Sequence, residues 1–172
     1  MDLRPKETLD ERDINKGLKL VIGDGLAAEV MITFTGGAFL VAMALLMGAS
    51  NFQIGLLAAL PTFTNLFQLV SIWLVRRFNN RRAVTVICSL LARLPLLAIG
   101  VLPFITDTSF LINLLIYFLF FHYLFGSVAG PSWNSWMKDL VPEKMLGTYF
   151  AKRSSYTQSL NVVLAIVLAL VI

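Results

Sequence analysis

Few residues in this chain are of a type that does covalent chemistry. His122 and Cys88 are the single histidine and the single cysteine, so neither a paired-cysteine site nor an intrachain disulfide can form. No phosphate loop of the form Gly-x-x-x-x-Gly-Lys and no His-Glu-x-x-His occurs. We therefore expect no catalytic residues, no metal and no cofactor, and we do not read the chain as an enzyme. What remains is a set of polar side chains lodged in apolar runs: Thr33, Thr35, Asn65, Gln68, Arg93 and His122. Counted along a helix, Arg93 lies about 15 Å and His122 roughly 16 Å from the nearer end of its run, and the other four fall at similar depth. A charge held at that depth in hydrocarbon costs roughly 2.5–3.5 kcal/mol on insertion scales, so Arg93 has to pair or face a polar cavity. The expectation is a polar layer across four helices, with Arg93 held by His122, Asn65, Gln68 or freed carbonyls. His122 has two readings, a buried hydrogen-bonding residue or a group that responds to protons.

The elements that must carry these residues follow from composition. The chain of 172 residues is 58% hydrophobic and 14% charged, against about half and a quarter for a soluble domain. Four long apolar runs, 26–47, 54–75, 83–105 and 110–133, each hold 22 to 24 residues. At ~1.5 Å per residue each reaches ~33–36 Å, enough to cross a ~30 Å hydrocarbon layer. A fifth run opens at Tyr156 and continues to Ile172 with nothing polar closing it, which reads as a chain cut short. These runs are continuous rather than alternating, so a β-barrel is not expected. The fold class is an all-α integral membrane bundle crossing the bilayer several times. Pro61, Pro95 and Pro103 fall within the runs, which membrane helices tolerate. Gly36-Gly37 and the pair Gly126 and Gly130 read as close-packing positions between helices, the alternative being a hinge.

Charge fixes the orientation. Of fourteen Lys and Arg residues, five lie in residues 1–25, four in Arg76, Arg77, Arg81 and Arg82, and four between the fourth and fifth runs. Only Arg93 stands apart, and the connections 48–53 and 106–109 carry none. By the positive-inside rule the basic side is cytoplasmic. Residues 1–25 then form a cytoplasmic tail, either solvated or carrying a short amphipathic helix on the membrane surface around Ile14, Leu18, Val21 and Ile22. The basic residues are spread over loops rather than gathered on one face, which argues against nucleic acid despite the net charge of +4. Asp139 and Glu143 are the only acids of the last cytoplasmic loop, and we expect them to meet the four arginines in a charge network. Glu29, about 4–5 Å inside the first run, reads as paired with a basic loop residue, the alternative being a part in gating.

Several of these stretches resemble a family. Gly48-Ala49-Ser50-Asn51-Phe52-Gln53-Ile54-Gly55-Leu56-Leu57, followed by Pro61, resembles the outer turn between helices one and two of the major facilitator superfamily. Arg76–Arg82 sits where that family carries a Gly-x-Leu-x-Asp-x-x-Gly-Arg-Arg loop. Trp136-Met137-Lys138-Asp139-Leu140-Val141-Pro142-Glu143, then Gly147-Thr148-Tyr149-Phe150 and Arg153, is similar to the loop after helix four in a bacterial branch of it. His122, in His-Tyr-Leu-Phe-Gly, takes the place of arginine in the family's helix-four Arg-x-x-x-Gly. The carboxylate of the first cytoplasmic loop is replaced: with Leu74 on the motif leucine its place is held by Arg76 and the second glycine's by Asn79, and a one-residue shift puts Arg77 and Asn80 there. Leu146 stands where a basic residue is frequent. The resemblance implies the N-terminal part of a six-helix half of a plasma (inner) membrane transporter. It implies alternating access of a small solute, with the lipid bilayer and the remaining helices, or a completing chain, as partners. The alternative is a non-transporting membrane subunit or a truncated product that needs a partner.

Overall fold

The structure, a computed structural model, describes residues 10–104 and 108–171. It is all-helical, with no strand among the described residues, and four of its helical stretches are long and apolar enough to cross a membrane. Those four are Glu11–Leu46, Asn51–Phe78, Arg81–Val101 and Phe110–Leu140. The chain divides into two compact units, one of Ala42–Trp136 and one of the described residues up to Val41 together with those from Met137 onward.

In the first unit, α3 (Asn51–Thr64) and α4 (Gln68–Phe78) form one span interrupted by a 3₁₀ turn at Asn65–Phe67. The interruption follows Pro61, whose ring removes the amide that would bond the carbonyl one turn earlier. Ser50 starts α3 with a reciprocal capping box, its hydroxyl accepting from the Gln53 amide while the Gln53 side chain accepts from Ser50 N–H. The turn into α5 (Arg81–Val101) is made by two asparagines with different tasks. Asn79 ends α4 in the left-handed region at φ 46°, which asparagine tolerates better than most residues. Asn80 caps α5 by accepting from Ala83 N–H at 2.9 Å. Arg76 and Arg77 fall in the last turn of α4, where cations suit the helix dipole. Arg81 and Arg82 open α5, where the dipole opposes them, so the placement of charge there follows from something other than helix stability.

Helix α6 (Thr108–Leu140) runs parallel to α3–α4. Gln53 Nε2 donates to Asn113 Oδ1 at 3.0 Å, and Ser71 Oγ lies 2.7 Å from Ser132 Oγ. The two contacts join residues 60 and 61 positions apart, so the register holds over the whole span. Helix α5 runs the other way, as an alternating bundle requires: His122 of α6 bonds the carbonyl of Ala92, while Val128 and Ala129 pack on Cys88 and Val84. Cys88 is buried in that cluster. Leu66, Leu69, Trp73 and Leu97 stand exposed, as side chains facing lipid would.

The second unit pairs α1 (Glu11–Thr35) with α7 (Leu146–Val171). Here the structure departs from the sequence reading. Helix α1 begins at Glu11 rather than at Leu26, and Asp10 caps it by accepting from Glu11 N–H at 2.8 Å. Residues 11–25 are thus the first turns of the same helix, not a separate surface helix; residues 1–9 lie outside the described residues. This extension is docked, because Tyr149 Oη donates to the carbonyl of Leu18 at 2.8 Å and Leu140 lies against Gly17. The expected first span is also broken. Helix α1 stops at Thr35 and α2 (Gly37–Leu46) begins afresh, with Gly37 at φ 58°. A Cβ at Gly37, Gly126 or Gly130 would meet nothing within 4 Å, so the close packing expected of these glycines is not what the structure shows. The fifth run likewise begins earlier, at Leu146, one 3₁₀ turn (Glu143–Met145) after Pro142.

Tyr149 carries a pH signature. Burial pushes its phenol above the ordinary value of 10, with the nearby Arg153 guanidinium pulling the other way. A group raised in the folded state contributes stability that is complete below its unfolded pKa and is lost as pH climbs through the folded one. We expect Tyr149→Phe to cost about 1 kcal/mol at neutral pH, the worth of one hydrogen bond. The same substitution should flatten the fall in unfolding midpoint above pH ~10. Chemical unfolding in detergent at stepped pH measures both.

Candidate functional site

The break in α3–α4 faces a cavity of ≈ 240 Å³. Pro61, Thr64, Asn65 and Gln68 line one side of it. Across it stand His122 and Tyr123, with Gly126, Ser127 and Gly130 continuing along the same face of α6. Helical spacing explains the grouping: Pro61 and Asn65, Thr64 and Gln68, and His122, Gly126 and Gly130 each recur every four residues. The Gln53–Asn113 and Ser71–Ser132 contacts hold the two spans together beyond either end of the cavity.

Each polar group has a defined role in the geometry. Thr64 is buried, its hydroxyl 2.9 Å from the Leu60 carbonyl and 3.1 Å from that of Pro61, where it stabilises the backbone at the break. Gln68 Nε2 donates to Asn65 Oδ1 at 3.2 Å. His122 Nδ1 lies 2.8 Å from the Ala92 carbonyl oxygen. A carbonyl only accepts, so Nδ1 carries the proton and, in the uncharged ring, Nε2 is an acceptor. Asn65 and Gln68 are exposed on this chain, in the middle of the Asn51–Phe78 span. Lipid offers an amide no hydrogen bond, so a water-filled cleft, a solute or further protein must face them.

Of the six residues expected at one depth, the structure brings three together: Asn65, Gln68 and His122. Arg93 is half-buried on α5 and is not among the residues that line the cavity. Thr33 and Thr35 belong to the second unit, where their hydroxyls donate to the Glu29 and Met31 carbonyls. Arg76, Arg77, Arg81 and Arg82 belong to the first unit, and Asp139, in the last turn of α6, and Glu143 to the second.

A polar seam in the second unit was missed. Along α7, Tyr149, Arg153 and Asn161 fall on one face; along α1, so do Leu18, Gly25, Glu29 and Thr33. Arg153 lies so close to α1 that a Cβ at Gly25 would stand 2.7 Å from its Nη2. Asn161 Nδ2 donates to Glu29 Oε1 at 2.8 Å and lies 3.4 Å from Thr33 Oγ1. Thr33 gives its own proton to the Glu29 carbonyl, so its oxygen faces Asn161 as an acceptor. The partner of Glu29 is therefore an asparagine of another helix, not a basic loop residue. The signal in the sequence was a lone asparagine five residues inside the last apolar run.

Comparison of the chain with known protein families, with curated proteins and with solved structures finds no match.

Proposed function

We propose that this chain is the N-terminal part of a secondary transporter of the major facilitator kind, which moves a small solute by alternating access. The observation that carries the reading is the pair of exposed amides, Asn65 and Gln68, at a helix break in mid-span beside His122. Interrupted membrane helices are where transporters bind their solutes, because unwound backbone and polar side chains there need not face lipid. The parallel course of α3–α4 with α6, and of α1 with α7, agrees with an alternating bundle. Asn79 in the left-handed region supports the register that sets it on the second glycine of the family's loop motif. The clustering of lysine and arginine supports a cytoplasmic N-terminus in the plasma (inner) membrane.

Gly126→Leu tests the reading. It extends into open space, so it should fill the cleft with little effect on folding. In liposomes containing the full-length protein, we expect uptake of whichever labelled solute the wild type carries to fall about tenfold or more, at an unchanged unfolding midpoint. Equal uptake by wild type and Gly126→Leu would remove the cleft from the pathway, and a wild type that carries none of a broad solute panel would sink the transporter reading.

A further inference from the structure

The lining of the cavity has a chemical character of its own. None of its residues is Asp, Glu, Lys or Arg. An ion bound here would find no opposite charge on this face to compensate for the water it sheds. What the face does offer is a pattern of donors and acceptors. One Gln68 N–H is used on Asn65 Oδ1, and the pair is left with the two N–H donors of Asn65, the second N–H of Gln68 and the carbonyl acceptor of Gln68. Turning both amides over preserves the result, donors and a carbonyl acceptor side by side. His122 Nε2 adds an acceptor fixed in place by the Ala92 carbonyl.

We propose that the solute is neutral and polyhydroxylated, a sugar or polyol; the inference rests on the transporter reading and gives it a substrate class. A hydroxyl donates and accepts at once, so neighbouring hydroxyls satisfy the Asn65–Gln68 pair together, and a third reaches His122 Nε2. A carboxylate has no proton for the two acceptors. An ammonium finds acceptors but no counter-charge.

The test is uptake into liposomes carrying the full-length protein, with four labelled probes: a hexose, mannitol, succinate and choline. We expect the hexose or mannitol to enter above the level of empty liposomes, and succinate and choline not to. Gln68→Leu should lower that uptake at least tenfold, because the substrate's hydroxyl loses its acceptor in the site. Gln68 is exposed, so the unfolding midpoint should stay that of the wild type, and it is measured alongside. Preferred uptake of succinate or choline overturns the substrate class and leaves transport standing. Undiminished hexose or mannitol uptake by Gln68→Leu overturns the assignment of the site. Entry of none of the four overturns the substrate class, and the broader solute panel then decides the transporter reading separately.

Discussion

Ser132→Leu is expected to lower the stability of the protein by about 3 kcal/mol or more. Ser71 and Ser132 are each 1% exposed, and their oxygens lie 2.7 Å apart where α4 crosses α6. Two additional heavy atoms cannot enter that contact without moving a helix, and overpacking of this kind costs ~1–3 kcal/mol. The substitution also strands the Ser71 hydroxyl in a site closed to water, for a further ~1–3 kcal/mol. Size and polarity separate in a second pair of variants. Ser132→Ala alone leaves Ser71 unsatisfied, whereas Ser71→Ala with Ser132→Ala removes both hydroxyls and should cost little more than the single change. Unfolding in detergent micelles ranks the series. A Ser132→Leu protein that unfolds at the wild-type midpoint would mean that the two helices are not packed at this point.

Asn161→Leu should cost about 2 kcal/mol, and the loss should be largely reversed by adding Glu29→Gln. Neutral hydrogen bonds between membrane helices average only ~0.6 kcal/mol, because the separated helices find other partners. The acceptor here is a carboxylate, and hydrogen bonds to charged groups are worth ~1.5–3 kcal/mol. Charge decides which figure applies. With leucine at 161 a half-buried carboxylate faces α7 without its amide donor, while glutamine at 29 carries no charge to leave stranded. A double-mutant cycle on the unfolding free energy measures the coupling. If Glu29→Gln fails to recover stability in the Asn161→Leu background, the asparagine serves packing rather than the charge.

Much of the architecture was legible because the bilayer imposes its own length on the sequence. The apolar runs, the absence of strands and the Arg76–Arg82 turn could be read directly from residue order. Helix limits were harder. Glu11, Arg12, Asp13, Lys16 and Lys19 read as a solvated tail or a separate surface helix, since nothing local says that Tyr149 will dock on Leu18 from 131 residues away. Depth along a helix was also readable, and it put Asn65, Gln68 and His122 at one level. Azimuth was not, because equal depth says nothing about which face a side chain takes or which helix it meets. Thr33 and Thr35 were counted to a similar depth and belong to the other unit. Arg93 does not line the cavity. The glycines misled for a related reason, since a small residue can admit a neighbouring helix or leave a space, and sequence alone does not say which.

The break at Asn65–Phe67 also has a bearing on biogenesis. Of the four membrane-crossing stretches, Asn51–Phe78 is the least apolar, and it holds Pro61, Asn65 and Gln68 together. A segment leaving the ribosome is sorted into lipid on its own hydrophobicity, before α6 has been made. This stretch is therefore the hesitant one at the translocon. On the proposed topology its retention depends on the four arginines that follow, which are costly to draw across behind it. On the transporter reading, the residues that would meet the solute are the ones that make the stretch hard to insert, and the basic turn would hold it in place until α6 arrives.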